Sequence, residues 1–239
     1  IRLADLRTFS IYHGLIPYIQ KFCEERDYKL HIDPHITTTE NFSAIEADEF
    51  AKSLKLPHEV RDYQLKSFIQ AIRNRRILLL SPTASGKSLI LYLIVRFLQQ
   101  EHKRGLLIVP TTSLVEQMYS DFESYGYDSD EYCHRQYSGK EKHTRKFLTI
   151  TTWQSIYKLP KDWYQQFGMV VGDECHGFKS KSLMNIMNKA TEAKYRYGTT
   201  GTLDGTQTHE LVLQGLFGKT FKVTTTKKLQ DSGTLAQLN

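Results

Sequence analysis

Two stretches of this sequence carry residue types at spacings that suit phosphate chemistry. The first is Ser81-Pro82-Thr83-Ala84-Ser85-Gly86-Lys87-Ser88. It follows a short apolar run and precedes a helical pattern, the setting of a phosphate-binding loop that ends in Gly-Lys-Ser. In such a loop, backbone N–H groups and the N-terminus of the next helix face phosphate oxygens. Pro82, Thr83, Ala84, Ser85 and Gly86 would form the cradle, with Gly86 letting the backbone come close. Lys87 would reach the β- and γ-phosphates, and the Ser88 hydroxyl would hold Mg²⁺. The plainer alternative is an ordinary loop that contains Gly-Lys-Ser.

The second stretch, Val170-Val171-Gly172-Asp173-Glu174-Cys175-His176, is an apolar strand ending in two acids. Asp173 would hold Mg²⁺, directly or one ligand removed, and Glu174 would polarise the attacking water. An acidic pair facing a phosphate-binding loop suits in-line hydrolysis of a nucleoside triphosphate. Alone, the pair reads equally as a solvated acidic turn. Cys175 and His176 make a poor metal pair, because adjacent side chains rarely converge on one ion and no second pair has ligand spacing.

The elements that must position these groups are legible as an alternation. Helical spacing marks 63–75, with Leu65, Phe68, Ile69 and Ile72 on one face. It recurs over 86–100 and over 113–125, where Ser113 and Glu116 have capping-box spacing. Short apolar strands are expected at 77–80, 105–109, 147–151, 169–172 and 195–199. Apolar strands separated by helices predict an α/β fold, a parallel sheet flanked by helices on both faces. Right-handed crossovers then gather the loops that follow the strands on one edge, where ligands bind. Ahead of this lies a mixed segment. It has a helical pattern over 18–28, a strand over 29–32 stopped by Asp33-Pro34, and a polar loop over 36–41. A boundary is placed near Ser53–Pro57.

With these motifs in order, the chain resembles the superfamily 2 DExH helicases. Asp173-Glu174-Cys175-His176 is similar to their motif II, and this places His176 among the catalytic residues. Several of those families accept a small residue where Ser81 stands. Arg61-Asp62-Tyr63-Gln64 resembles the motif that reads adenine, which implies Arg61 and Gln64 as nucleotide contacts and ATP as the nucleotide, with Mg. Val109-Pro110-Thr111-Thr112-Ser113-Leu114 and Ile150-Thr151-Thr152-Trp153-Gln154-Ser155 resemble motifs Ia and Ib. Pro110, Thr111, Thr112, Thr151 and Thr152 are thereby implied as nucleic-acid contacts, since hydroxyls and helix starts hold strand phosphates. Their plainer role is capping and turn chemistry. Thr200-Gly201-Thr202 resembles motif III, which couples nucleotide state to the nucleic-acid track. The wider match, including a following Gly-x-x-Gly-Thr-Leu, resembles the recombination-repair DNA helicases of T4-like phages. That family acts on branched DNA, in junction migration, fork remodelling and R-loop unwinding.

The resemblance implies a RecA-like P-loop NTPase domain over 56–225, preceded by part of a small α+β domain over 1–55. Residues 226–239 would begin a linker to a second RecA-like domain absent from this chain. The opening Ile1 and the lack of motifs IV to VI support that expectation. Without the arginines of motif VI, worth roughly 10³–10⁵ in rate, weak Mg·ATP binding and slow turnover are expected. The expected partner is DNA, branched or duplex, or an RNA–DNA hybrid, and the expected state is a monomer. Two other readings share these motifs: a DNA translocase without strand separation, and a nucleotide-gated DNA-binding module lacking turnover.

Bulk properties agree with this. Of 239 residues, 40% are hydrophobic, and the net charge of +6 suits a polyanionic partner. The longest apolar run, from Leu89 to Val95, is far short of the roughly 20 residues of a membrane span. Three scattered cysteines without a CxxC pair fit a reducing compartment, so the cytoplasm (of the host cell, if phage-encoded) is the expected location. Arg73, Arg75 and Arg76 read first as cations favoured at a helix C-terminus and second as DNA contacts. The run 140–146 reads as a solvated loop or a phosphate contact. Trp153 and Trp163 read as core residues before base-stacking ones.

Overall fold

A computed structural model describes residues 3–37, 39–137, 144–177, 180–203, 207–231 and 233. The chain opens with a small antiparallel pair, β1 (Ala4–Asp5) and β2 (Ser10–Ile11), and a 3-10 turn at His13–Leu15. Helices α1 (Ile16–Glu24), α2 (Pro34–Thr37), α3 (Ala44–Ser53) and α4 (Asp62–Asn74) follow. Strand β3 (Arg76–Leu80) leads into α5 (Lys87–Gln100), β4 (Gly105–Val109) into α6 (Thr112–Ser124), and α7 (Ser129–Tyr132) into β5 (Cys133–Gln136). Next come β6 (Leu148–Thr152), α8 (Trp153–Ile156), α9 (Lys161–Tyr164), β7 (Met169–Gly172) and α10 (Ser180–Lys189). The last elements are β8 (Tyr195–Thr200), α11 (Gln207–Phe217), β9 (Thr220–Lys222) and α12 (Thr226–Asp231).

Seven strands form one parallel sheet in the order β5-β6-β4-β7-β8-β3-β9. This is the RecA-like architecture, with both faces covered. Strand periodicity splits the core in two. Ile77, Leu79, Leu107 and Val171 face α4, α5 and α6, whereas Leu78, Leu106, Ile108 and Val170 face α9, α10 and α11. Helix α5 is buried from Leu89 through Val95 because it is apolar all round. Among the described residues, no helix is long and apolar enough to cross a membrane.

The strands β5 and β9 were not among those expected from sequence. Both are edge strands carrying polar residues (His134, Arg135, Lys222), so neither shows a continuous apolar run. Residues 29–32, expected as a strand, have no regular structure. Asp33-Pro34 starts a helix there, its carboxylate accepting from the His35 N–H at 2.9 Å, so part of the loop expected over 36–41 is helical. The expected cap of α6 is also displaced. Thr111, not Ser113, is the N-cap, accepting from the Leu114 N–H at 3.3 Å.

The segment before residue 55 packs against the sheet domain in two places. Leu15 is buried, and Gly14 lies so close to α11 that a Cβ would fall 1.8 Å from the Gln214 carbonyl oxygen. The Tyr18 hydroxyl donates to Gln214 Oε1 at 2.5 Å. Farther on, α3 is held by a full capping box between Ser43 and Glu46. Its buried Ala47, Phe50 and Ala51 share one core with Phe68 of α4. Of the basic run 140–146, residues 140–143 lie outside the described residues. Arg145 is exposed, and the Lys146 ammonium donates to the Asp130 carbonyl. Trp163 is buried in the core and Trp153 is packed against it.

Candidate functional site

Strand β8 lies between β3 and β7, so three loops meet at the carboxyl edge of neighbouring strands. The loop after β3 holds Ser81 to Gly86. Ser81 is tied into the sheet by its N–H, which donates to the Thr200 carbonyl at 2.8 Å. Its hydroxyl lies 2.6 Å from that of buried Ser85. Ala84 (φ 64°) and Gly86 (φ 74°) are both left-handed, which curls the backbone around the start of α5. Pro82 is half-buried, and Thr83 and Ala84 are exposed.

Lys87 and Ser88 open α5. The Lys87 ammonium meets the Glu174 carboxylate directly, an ion pair between the end of the β3 loop and the end of β7. Glu174 is left-handed (φ 47°), a costly backbone for a non-glycine residue, and it places the carboxylate across the site. Asp173 is 6% exposed. Its N–H donates to the Ile108 carbonyl at 2.8 Å, and its Oδ1 accepts from the Thr199 hydroxyl. His176 Nδ1 lies 2.7 Å from the Thr200 hydroxyl and 3.4 Å from Glu174 Oε2. Thr200 also donates to the Thr202 carbonyl at 2.6 Å, and Gly201 lies against the Ser81 carbonyl. The two acids, His176, Lys87 and the three residues 200–202 therefore form one contiguous group.

Burial works against both charges at its centre. It lowers the pKa of Lys87, opposed by Asp173 and Cys175. It raises that of Asp173, opposed by the Thr199 hydroxyl and then Lys87. A triphosphate with a divalent cation would relieve both, bringing anionic oxygens to the ammonium and a cation to the carboxylate. The residues present fit such a pair: a hydroxyl at Ser88, a carboxylate at Asp173 and a curled loop that leads into the half-buried start of α5.

Gln64 is 4% exposed. Its amide accepts from the Arg61 N–H at 3.0 Å and donates to the Ser85 carbonyl at 3.0 Å. It thus bridges the start of α4 to the phosphate-binding loop, while the Arg61 guanidinium donates to the Tyr63 hydroxyl at 2.8 Å. Pro110, Thr111 and Thr112 follow β4, and Thr151 and Thr152 end β6, its neighbour in the sheet. Gln154 joins the two groups by donating to the Pro110 carbonyl at 3.4 Å. Thr111 and Thr112 are exposed. Thr151 is fully buried with its hydroxyl on the Thr152 carbonyl, and the Thr152 hydroxyl lies 2.8 Å from that of Ser155.

Sequence reasoning passed over two contributors. Thr199 lies directly before the motif III resemblance and holds Asp173. Tyr125, at the end of α6, places its hydroxyl 2.9 Å from the Ser88 hydroxyl. Thr199 was signalled by its adjacency to Thr200, whereas nothing local marked Tyr125.

Comparison with known proteins identifies the family and the fold. Residues 57–205 match the family described as type III restriction enzyme, res subunit. The chain is 34% identical, over a 251-residue alignment, to the ATP-dependent DNA helicase uvsW of Enterobacteria phage T4, covering 100% of this chain and 49% of that protein. It is 27% identical over 144 residues to the DNA 3'-5' translocase XPB2 of Sulfurisphaera tokodaii, covering 60% of this chain and 31% of that protein. The crystal structure of the UvsW helicase from bacteriophage T4 superposes with a TM-score of 0.86 at 33% identity, covering 93% of this chain and 82% of that one. This chain thus spans about half the length of the phage protein.

Proposed function

This chain belongs to the family described as type III restriction enzyme, res subunit, within the superfamily 2 DExH helicases, and from that premise we propose that it is the ATP-hydrolysing half of a DNA helicase or translocase. The observation that carries the reading is the meeting of Lys87 with Glu174 beside buried Asp173, three groups brought together from β3 and β7. Lys87 binds the terminal phosphates of ATP and stabilises their charge. Ser88 and Asp173 would hold Mg²⁺, which would supply positive charge against the phosphates. Glu174, released from Lys87 once phosphate arrives, orients and deprotonates the attacking water. His176 and Thr200 link that carboxylate to residues 200–202, the route by which nucleotide state reaches the DNA track. Gln64, bonded to the Ser85 carbonyl, reports adenine occupancy to the loop, with Arg61 beside it.

The DNA track is proposed along Pro110, Thr111 and Thr112, with buried Thr151 and Thr152 shaping the turn behind it rather than touching the strand. A second RecA-like domain outside this chain would complete the ATP site, and the chain alone would turn ATP over slowly. The full substrate range is proposed to be branched DNA, including forks, four-way junctions and RNA–DNA hybrids, acted on in the cytoplasm. What supports it is the identity to the phage T4 helicase across the whole chain.

The test is DNA-stimulated ATP hydrolysis with a fluorescent-nucleotide binding assay alongside. Lys87→Ala should abolish turnover and weaken nucleotide binding. Glu174→Gln should keep binding and stop turnover. Nucleotide affinity unaffected by Lys87→Ala would remove the phosphate role. Strand displacement on forked against linear duplex distinguishes a helicase from a translocase.

A further inference from the structure

The edge of the sheet remote from the phosphate-binding loop gathers positive charge with little to balance it. Arg76, the first residue of β3, and Arg196 of β8 are register partners on adjacent strands. Like charges directly opposite on one sheet face repel. Arg196 is 8% exposed and donates from Nε to the Ala193 carbonyl at 3.0 Å and from Nη2 to the Ala190 carbonyl at 2.7 Å. Arg76 is half-buried and, among the described residues, its guanidinium has no hydrogen bond or ion pair.

The N-terminal segment closes over these arginines. His13 sits there with ring Nε2 3.0 Å from the Ile36 carbonyl oxygen. His13 is exposed to solvent on one side, yet partial burial of its ring, and after it Arg76 and Arg196, push its proton off, while the bond to Ile36 holds it on. Two adjoining cavities of about 330 and 420 Å³ share His13, Ile36, Asn74 and Arg76 as walls. Lys219 lines one and Lys194 the other. Among the described residues no acidic side chain lines either cavity, and Arg75 at the rim has a carboxylate partner, Glu40 at 2.6 Å.

A half-buried guanidinium without an anion is unfavourable, because its lost hydration is not replaced. Its planar fork matches two oxygens of one oxyanion. Strand β3 separates Arg76 from the end of the strand at Leu80 by about 13 Å, so this is not the nucleotide's own phosphate site. We propose that the pocket between the N-terminal segment and the foot of β3 binds a phosphate group through Arg76, with His13 and Lys219 at its mouth. Inorganic phosphate and the phosphodiester of a duplex share that chemistry.

The experiment follows the His13 imidazole by NMR in the full chain carrying Lys87→Ala, so that the nucleotide site does not compete. Inorganic phosphate should raise the His13 pKa by about one unit, since a nearby anion favours the charged ring. Arg76→Gln should remove that shift and, by relieving Arg196 of a like charge, should melt no lower than its parent in chloride. Duplex DNA in phosphate-free buffer separates the sources. A shift with duplex, and a salt-dependence slope smaller by about one in Arg76→Gln, assigns the phosphodiester. A shift with inorganic phosphate alone assigns a free anion. Should Arg76→Gln fail to fold, exposed Lys219→Gln should weaken phosphate binding several-fold, and unchanged binding there would overturn the proposal. So would a His13 signal unmoved by both probes, or a shift that survives Arg76→Gln.

Discussion

Phe50→Ala tests whether the segment before residue 55 is part of the fold that carries the catalytic groups. Phe50 is 9% exposed on α3. Its ring centroid lies 5.7 Å from that of Phe68 on α4 and 5.3 Å from that of Phe97 on α5, the latter edge-on at 87°. Phe42 completes the cluster, 5.3 Å from Phe68 and 4.8 Å from Phe97. Truncating a buried phenylalanine to alanine costs about 3–5 kcal/mol. Phe50 also lines an open cavity with Phe42 and Phe97, into which water and neighbours relax, so the lower end applies. In a domain of this size each kcal/mol moves Tm by about 2–4 °C, so a loss of about 3 kcal/mol lowers Tm by about 6–12 °C. The assay is thermal unfolding read by tryptophan fluorescence and by far-ultraviolet circular dichroism. Trp153 and Trp163 belong to the core on the opposite face of the sheet, so fluorescence reports the sheet domain at a distance from the mutation. Both signals should move together. A fluorescence midpoint unchanged, with only a small early loss of helix, would show α3 to be an appendage and refute the reasoning.

Three other outcomes follow from the site. Burial raises the pKa of Asp173, so the folded chain holds that proton more tightly than the unfolded chain and the ionised group costs stability at neutral pH. Asp173→Asn should therefore raise the nucleotide-free Tm at pH 7, and the gain should shrink as pH falls through the raised folded-state pKa and vanish by the ordinary carboxylate value, as melting curves across pH would show. Tyr125→Phe frees the Ser88 hydroxyl from a competing bond of about 0.5–1.5 kcal/mol. Mg·nucleotide titration should show affinity tightened by about two- to tenfold, with little change in Tm. Gly86→Ala puts a side chain at φ 74° and a Cβ 2.3 Å from Gln64 Nε2. The left-handed backbone alone costs about 1–2 kcal/mol, and Gln64 must leave Ser85, so nucleotide binding should fall at least tenfold in the same titration.

Local chemistry was enough to read much of this protein from its residues. The Gly-Lys-Ser loop lies between strand and helix, and the acids 173 and 174 end an apolar strand. Such patterns are written in neighbouring residues, where backbone sterics and burial act over a few positions. The spacing of α5 marks one inward face with Leu89, Ile90, Leu93, Ile94, Phe97 and Leu98, whereas the structure also buries Leu91, Tyr92 and Val95, because α4 and α6 pack on its other sides. The misread strand at 29–32 and the overlooked β5 and β9 mark the limit. Short edge segments with polar residues satisfy their backbone through neighbours that the local pattern does not name.

Sequence alone nominated the groups proposed to handle a nucleotide; tertiary structure decided which of them touch. Seating β8 between β3 and β7 is what brings Thr199 to Asp173 and Thr200 to His176. The same order sets Arg76 beside Arg196 at the opposite edge. Tyr125 reaches Ser88 from 37 residues away, and Gln64 reaches Ser85 across 21. Right-handed crossovers limit the possible strand orders without choosing among them. The choice rests on burying both faces of the whole sheet at once, a sum over distant residues that no local window contains.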